Sequence, residues 1–182
     1  MSAAAFEPSA TVLPHEGLAP VTDAGALKRA YSAFPSGVVA VCCHQAGPSG
    51  TELIGMAASA FTSVSLNPPL VSVCVQNTST TWPRLRAATA LGVSVFAADQ
   101  SVLCRQLAGP AQTRFDGVTP LGTPDGALFV PGAAAHLSCV IDREIVAGDH
   151  ILVLLQITSL DSDPGVDPLV FHASTFRALQ AR

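Results

Sequence analysis

Apolar and small polar residues alternate in several short segments of the chain, which is the pattern of strands with one buried face. The clearest example is "PLVSVCV" at residues 69–75, where Val71, Val73 and Val75 alternate with Ser72 and Cys74. A longer segment at residues 135–160 predicts two strands joined by a turn at "GDH". The other predicted strand regions are residues 38–44, 52–66 and 91–98, and a short hairpin at residues 167–179.

Three segments carry helix signals instead. Residues 22–37 offer Thr22 or Asp23 as an N-cap, and their apolar side chains share one face. The members of that face are Leu27, Ala30, Tyr31 and Phe34. Two more helices are predicted at residues 77–89, which begin with hydroxyl residues, and at residues 99–110, where Asp99 or Ser101 is the expected cap.

Short strands separated by turns rather than by regular crossover helices favour an antiparallel barrel. We therefore predict a mainly β protein with a few flanking helices. The length of 182 residues suits one domain, which we place at residues 22–182 after a flexible N-terminal tail at residues 1–21.

The composition limits the classes of partner that the protein is expected to bind. Hydrophobic residues make up 49% of the chain and charged residues only 12%, so an apolar surface is expected and a homodimer would cover it. The net charge of −4 and the absence of a basic stripe argue against nucleic acid. Neither a run of apolar residues long enough for a membrane helix nor a signal peptide is present, which predicts a cytoplasmic protein with no membrane contact.

Five cysteines are present, an odd number without C-x-x-C spacing. Most lie in apolar strand-like runs, which favours free, buried thiols over a disulfide framework or a metal site. The sequence also lacks a G-x-S-x-G nucleophile elbow and a G-x-G-x-x-G dinucleotide loop.

Three stretches have the residue types of a binding site. Residues 55–65 combine small apolar residues with hydroxyls, so a flat ligand could approach the backbone there, although a Ser/Thr-rich strand facing solvent has the same pattern. The hydroxyls of "NTSTTW" at a helix start would suit a phosphate. In "GDH", Gly148 can adopt a special backbone conformation and His150 points from the start of a strand.

These stretches together resemble a known family. "FPSGVVAVCC", "GMAASAFTSVSLNPPLVSVCV", "RFDGV" and "AGDHILVLLQITSL" occur in the order seen in the flavin reductase-like, FMN-binding split-barrel family, and "PLVFHASTFRAL" resembles its usual ending. The match runs from Leu27 to Leu179 and is closest to the short reductase components of two-component flavin monooxygenases.

The resemblance implies a six-stranded antiparallel split barrel of Greek-key type that dimerises and binds flavin near the subunit interface. It implies an NAD(P)H:flavin oxidoreductase that uses NADH or NADPH to reduce FMN or FAD by hydride transfer to flavin N5. The reduced flavin would then diffuse to a partner oxygenase.

The resemblance also implies site residues. Flavin contacts are expected at Met56, Ala57, Ala58, Ser59, Ser63, Ser65, Cys74, Val75, Gln76, Ser79, Thr80, Thr81 and Phe115. His150 is expected to orient the nicotinamide, and Phe171, His172 and Phe176 to help enclose the nicotinamide or the flavin. No metal ligand is implied.

Ala57 departs from the pattern, because relatives commonly have Thr there and its hydroxyl could bind the reactive edge of the flavin. A backbone N–H would have to serve instead, or the flavin would be held differently. Two alternative functions remain open: a flavin- or haem-binding split-barrel protein without turnover, and an unrelated small barrel that binds an apolar ligand.

Overall fold

The computed structural model describes residues 20–47 and 50–179. The tail predicted at residues 1–21 lies almost entirely outside the described residues. The strands are β1 (Ser36–Gly37), β2 (Val39–Gly47), β3 (Gly50–Ala58), β4 (Phe61–Leu66), β5 (Pro69–Gln76), β6 (Leu91–Val95), β7 (Leu121–Gly122), β8 (Leu128–Phe129), β9 (Ala135–Ala147), β10 (His150–Ser162), β11 (Val170–His172) and β12 (Thr175–Arg177). The helices are α1 (Ala24–Ser32), α2 (Trp82–Leu85) and α3 (Ser101–Ala108), with a 3-10 turn at Ala111–Thr113.

Seven strands form the main sheet, in the order β3-β2-β6-β9-β10-β5-β4, and every neighbouring pair is antiparallel. The prediction of a mainly β, antiparallel fold with a few helices is confirmed. The main sheet has seven strands rather than six, because the region predicted as one strand at residues 52–66 turns at Ser59 and Ala60 and forms both β3 and β4.

The main sheet is strongly curled. β3 and β4 lie at opposite edges of the strand order, yet only Ser59 and Ala60 separate them along the chain. Two intervening residues span only about 10 Å, so the two edges meet at this corner. The Cys74 backbone N–H donates to the Ala60 carbonyl at 3.0 Å and fixes the corner against β5.

The core lies on both faces of β2. Val39, Val41 and Cys43 pack inside the curled sheet with residues of β5, β6 and β10. Ala40 and Cys42 point the other way, into a second cluster beneath α3. Burial on both faces explains why β2 is an unbroken apolar run rather than an alternating one.

The cysteines behave as the sequence indicated: all five are free, and four are buried. Removal from water disfavours the charged thiolate. Burial accordingly raises the pKa of Cys42 and Cys139 to about 12 and that of Cys43 and Cys104 to about 11. The fifth, Cys74, is half-buried.

The helices differ from the predictions mainly at their ends. Asp23 caps α1 as predicted, since its carboxylate accepts from the Gly25 and Ala26 N–H groups at 2.9 Å. Gln100, not Asp99 or Ser101, occupies the N-cap of α3. The helix predicted at residues 77–89 is only the four residues of α2, of which Trp82 and Leu85 are buried in the core. In the part of the chain that the structure describes, no helix has the length and apolar character needed to cross a membrane.

Candidate functional site

A cavity of about 430 Å³ opens at the corner where β3, β5 and α3 meet. This volume falls within the range of about 300–1,000 Å³ that is usual for small-molecule sites. We call it the main cavity. Eleven of the predicted site residues line it: Met56, Ala57, Ala58, Ser59, Cys74, Val75, Gln76, Ser79, Thr80, Thr81 and His150.

One wall is the end of β3, an edge strand of the sheet. The Gly55 carbonyl accepts a hydrogen bond from Arg114 Nη1 at 2.7 Å and therefore points away from β2. Backbone groups in a strand change direction with every residue. Ala57, two residues on, consequently directs its N–H and C=O toward the same open edge, so the backbone offers a donor at a position whose side chain has none.

The facing wall is the end of β5 and the loop after it. Gln76 lies opposite His150 in the β5–β10 register. The next residue, Asn77, ties the loop to the β9–β10 turn: its N–H donates to the Asp149 carbonyl at 2.9 Å and its Nδ2 to the Gly148 carbonyl at 3.1 Å. Gly148 has a φ of 65°, as its expected special conformation requires.

The hydroxyl-rich loop at residues 78–81 closes the end of the main cavity. Ser79 Oγ accepts from the Trp82 N–H at 3.1 Å, which begins the short helix α2. Thr81 is buried, and its Oγ1 accepts from Arg114 Nη1 at 2.8 Å. The Trp82 indole below is buried and donates to Glu144 Oε1 at 2.8 Å, which anchors the loop to β9.

Arg114 is the charged group at the back of the main cavity. Its Nη1 binds the Gly55 carbonyl and Thr81 Oγ1, and its Nε donates to the Gly109 carbonyl at 2.9 Å. All three acceptors are neutral. Burial lowers the pKa of Arg114, because the guanidinium has lost part of its hydration without gaining a carboxylate partner among these contacts. Such a half-buried cation is suited to an anionic ligand.

Gln106 of α3 holds the segment that carries Arg114. Its Nε2 lies 3.1 Å from the Thr113 carbonyl, 3.2 Å from the Arg114 carbonyl and 2.9 Å from the Asp116 carbonyl. Three carbonyls around one side-chain nitrogen identify it as the amide donor. Gln106 thus fixes the backbone from which Arg114 reaches the cavity.

His150 stands at the mouth of the main cavity and is half-buried. Its Nδ1 lies 2.8 Å from Asp149 Oδ1. The hydrogen bond to His150 lowers the pKa of the exposed Asp149 carboxyl. Because Nδ1 faces Asp149, Nε2 is the ring nitrogen that can face a ligand.

The predicted nicotinamide residues on the C-terminal hairpin adjoin the main cavity at Ser59. The rings of Phe171 and Phe176 lie 5.4 Å apart at 60° and line a shallow hollow with Ser59 and Ala57. Phe171 and His172 line a second hollow beneath α1, which also includes Ser59. The hairpin therefore sits beside the β3 wall, as its predicted role requires.

Three predicted flavin residues lie elsewhere. Ser63 and Ser65 pair with Val71 and Leu70, several residues along β5 from the main cavity, and do not line it. Only the family resemblance places them along the ribityl or phosphate path of a bound flavin, and that role stays a prediction. Phe115 lines a smaller adjoining cavity, not the main one.

Five residues that line the main cavity were not predicted as site residues: Ala60, Thr78, Leu107, Ala108 and Arg114. Arg114 belongs to the quoted "RFDG" motif, so its charge was a signal that could have been used. Leu107 and Ala108 carry no such signal, because they read as an ordinary apolar helix end.

The structure is that of a mainly β protein with an open cavity at a corner of its main sheet. Comparison with known proteins then identifies its family. The flavin reductase-like domain matches residues 31–180, and the chain belongs to that family. The resemblance inferred from the motifs is confirmed.

Proteins similar to this chain are named as flavin reductases or flavin oxidoreductases. An NADH-dependent FAD reductase of Streptomyces globisporus is 36% identical over 174 residues, which are 93% of each chain. The solved NADH:FAD oxidoreductase of Streptomyces globisporus C-1027, in complex with NAD and FAD fragments, superposes with a TM-score of 0.80 at 35% identity over 90% of this chain and 96% of that one. The flavin reductase component of a bacterial two-component tryptophan halogenase has a TM-score of 0.74 at 33% identity, over 88% of this chain and all of that one.

Proposed function

We propose that this protein catalyses the NAD(P)H-dependent reduction of FMN or FAD in the main cavity and supplies the reduced flavin to a separate flavin-dependent oxygenase. The observation that carries the proposal is that residues 56–59, 74–76 and 79–81, which are distant in sequence, form one cavity with His150 at its mouth. The names of the relatives support the same reaction.

The residues of the main cavity fit a flavin. Ala57, Ala58 and Ser59 give a wall of small side chains against which a flat ring can lie. The open edge of β3 offers the Ala57 backbone N–H and C=O to the polar edge of that ring. Thr80, Thr81 and Arg114 lie at the cavity end, where the phosphate needs hydroxyls and positive charge.

Flavin and nicotinamide themselves supply the chemistry of hydride transfer when bound. The task of the protein is to hold the two rings in contact and exclude water between them. The N–H groups at the β3 edge stabilise negative charge that develops on a bound ring, since they are already oriented toward it. No side chain is required to transfer a proton in this arrangement.

His150, Phe171, His172 and Phe176 are assigned to the nicotinamide side. His150 borders the β3 wall at the main cavity, and Phe171 and Phe176 border it at the shallow hollow. A nicotinamide ring that enters between them would stack on the flavin ring. His150 Nε2 is placed to orient that ring, while the Asp149 carboxylate holds the imidazole through Nδ1.

A homodimer is the proposed assembly, and the cytoplasm the proposed location. α1 buries none of its residues; Tyr31 on this helix is 70% exposed, and Phe34, two residues after its last residue, is 77% exposed. Leu66 of β4 and Val146 of β9 are 97% and 81% exposed. Large apolar side chains exposed in this number support a subunit interface.

Mixing purified protein with NADH and either flavin, and following the absorbance at 340 nm, tests the function. We expect NADH consumption that depends on added flavin. A protein that binds flavin or haem without turnover would consume none, and a protein that binds an unrelated apolar ligand would not quench flavin fluorescence.

A further inference from the structure

A β-bulge in β9 turns one acidic side chain toward the inside of the curled sheet. Ile141 lies opposite Leu155 and Glu144 lies opposite Val153, so three steps along β9 match two steps along β10, with Asp142 as the extra residue. Residues directly opposite each other in an antiparallel pair share one face. Leu155 and Val153 are fully buried inside the sheet, and Glu144 therefore points inward as well. Without the bulge, strict alternation after Ile141 would turn Glu144 outward.

The Glu144 carboxylate uses both of its oxygens on α2. Oε1 accepts from Trp82 Nε1 at 2.8 Å, and Oε2 accepts from Arg86 Nη2 at 2.8 Å. Trp82 is the first residue of α2 and Arg86 is its C-cap. The Glu144 side chain is only 18% exposed, whereas that of Arg86 is 62% exposed. One carboxylate of β9 thus contacts both ends of α2, and the contact with Trp82 is the buried one.

The position of α2 depends on such contacts, because an isolated helix of four residues is not stable in water. Trp82 is 3% exposed and packs in the core inside the sheet, so its indole N–H would be buried without a partner if Glu144 were absent. Arg84 of α2 also pairs with Glu52 of β3 at 2.6 Å. Both of those side chains are 40% or more exposed, and exposed ion pairs are weak. The hydrogen bond between Glu144 and Trp82 is therefore the stronger of these two attachments.

The hydroxyl-rich loop at residues 78–81 leads directly into Trp82. Ser79 Oγ accepts from the Trp82 backbone N–H at 3.1 Å, and Thr81 Oγ1 accepts from Arg114 Nη1 at 2.8 Å. A shift of Trp82 would move both hydroxyls and separate Thr81 from Arg114.

We propose that Glu144 is a positioning residue for the phosphate of the bound flavin. By binding the Trp82 indole, it fixes the loop in the arrangement in which the loop hydroxyls and Arg114 meet the phosphate. Neither Glu144 nor Trp82 lines the main cavity, so Glu144 acts through the loop and not by touching the ligand. The proposal rests on the proposed function, because it requires a flavin whose phosphate lies at this loop.

The test compares the Kd values of FMN and riboflavin, from quenching of flavin fluorescence, in the wild type and four variants. Riboflavin has the same ring and ribityl chain without the phosphate, so the two Kd values separate a phosphate effect from a general one. Trp82→Phe removes the indole N–H and keeps an aromatic ring, while Glu144→Ala removes the carboxylate. Glu144→Gln keeps an oxygen that can accept from Trp82. Asp142→Asn is the matched control, because it removes the same charge from the exposed bulge residue.

We expect the wild type to bind FMN more tightly than riboflavin. Trp82→Phe and Glu144→Ala should each raise the Kd of FMN about 5-fold, the size expected for one lost hydrogen bond, with the Kd of riboflavin unchanged within about 2-fold. Glu144→Gln and Asp142→Asn should leave both Kd values within about 2-fold of the wild type, since Glu144→Gln weakens only the exposed pair with Arg86. Trp82→Phe keeps the test valid if Glu144→Ala does not fold.

Three results would overturn the inference. An unchanged Kd of FMN in Trp82→Phe and Glu144→Ala would show that the loop keeps its position without this hydrogen bond. An equal rise for FMN and riboflavin would show that Glu144 supports the whole cavity and not the phosphate loop. A lower Kd of FMN in Glu144→Ala and Glu144→Gln would show that Glu144 acts on the phosphate as a like charge, an effect of the opposite sign. A wild type that binds and reduces no flavin would instead defeat the proposed function itself.

Discussion

The two ring nitrogens of His150 have different surroundings, and its proposed role in orienting the nicotinamide rests on that difference. Nδ1 is held by Asp149 at 2.8 Å, which leaves Nε2 for a ligand at the cavity mouth. His150→Ala should raise the KM for NADH about 3- to 10-fold, the loss expected for one hydrogen bond, with little change in flavin Kd. Steady-state kinetics and flavin titration measure the two effects separately. Equal loss of nucleotide and flavin affinity would contradict the assignment.

Cys74 is the one cysteine among the five that lines the main cavity and is not fully buried. The other four have pKa values raised to about 11 or 12, so at pH 8 roughly one in a thousand of these thiols or fewer is ionised. A thiol reagent at pH 8 should therefore modify Cys74 first, and saturating flavin should slow the reaction about 10-fold. Cys74→Ser is the control and should remove the fast phase. Labelling at a different cysteine, or no protection by flavin, would show that Cys74 does not line the flavin site.

At the scale of elements, the segment that bears Arg114 depends on α3. Gln106 Nε2 faces three carbonyls of that segment, so Gln106→Glu would place a carboxylate against them. We expect an increase in flavin Kd of about 10-fold and a lower Tm. The lost donor and the repulsion between the carboxylate and the carbonyl oxygens together cost more free energy than the loss of a typical hydrogen bond. Gln112→Glu, an exposed position in the 3-10 turn, is the matched control and should change neither. A Gln106→Glu protein with wild-type flavin affinity would show that the segment holds its position without this side chain.

The elements with a clear residue pattern could be predicted from the sequence. The alternating valines of β5, the turn at Gly148 and the hairpin of β11 and β12 all follow from local signals. The bend at Ser59 and Ala60 could not be predicted, because no Gly or Pro marks it and it depends on how the sheet curls. The predicted length of the helix at residues 77–89 was wrong, since α2 spans only four residues.

The site was predicted as far as it follows contiguous motifs. Residues 56–59, 74–76 and 79–81 meet in one cavity, as the family resemblance implied. Ser63 and Ser65 lie beyond the corner on β4 and do not line the main cavity, so their predicted contact with the flavin stays a prediction. Ala57, two residues after Gly55, directs its backbone N–H toward the open edge of β3, and that this group replaces a side-chain hydroxyl in binding flavin stays a prediction.

At the scale of the whole molecule, the exposed apolar side chains of α1, β4 and β9 support the proposed homodimer. We expect light scattering after size exclusion to give twice the chain mass of 18.6 kDa. Leu66→Lys, at the most exposed of these positions, should shift the protein toward the monomer. Leu121→Lys, at an exposed position outside these three elements, is the control and should leave the dimer intact. A wild type that elutes as a monomer at micromolar concentration would contradict the proposed assembly.

The central claim is that flavin is reduced in the main cavity. Ser59 is exposed and borders the main cavity and both hairpin hollows, so Ser59→Trp would fill the place where the two rings must meet. Ser162→Trp, at the exposed far end of β10, is its control. The decisive measurement is flavin-dependent NADH oxidation at 340 nm by the wild type and these two variants. We expect turnover in the wild type and in Ser162→Trp. In Ser59→Trp we expect turnover to fall at least about 10-fold, as for misplaced reactants. Unchanged turnover in Ser59→Trp, or no turnover in the wild type, would contradict the claim that flavin is reduced in the main cavity.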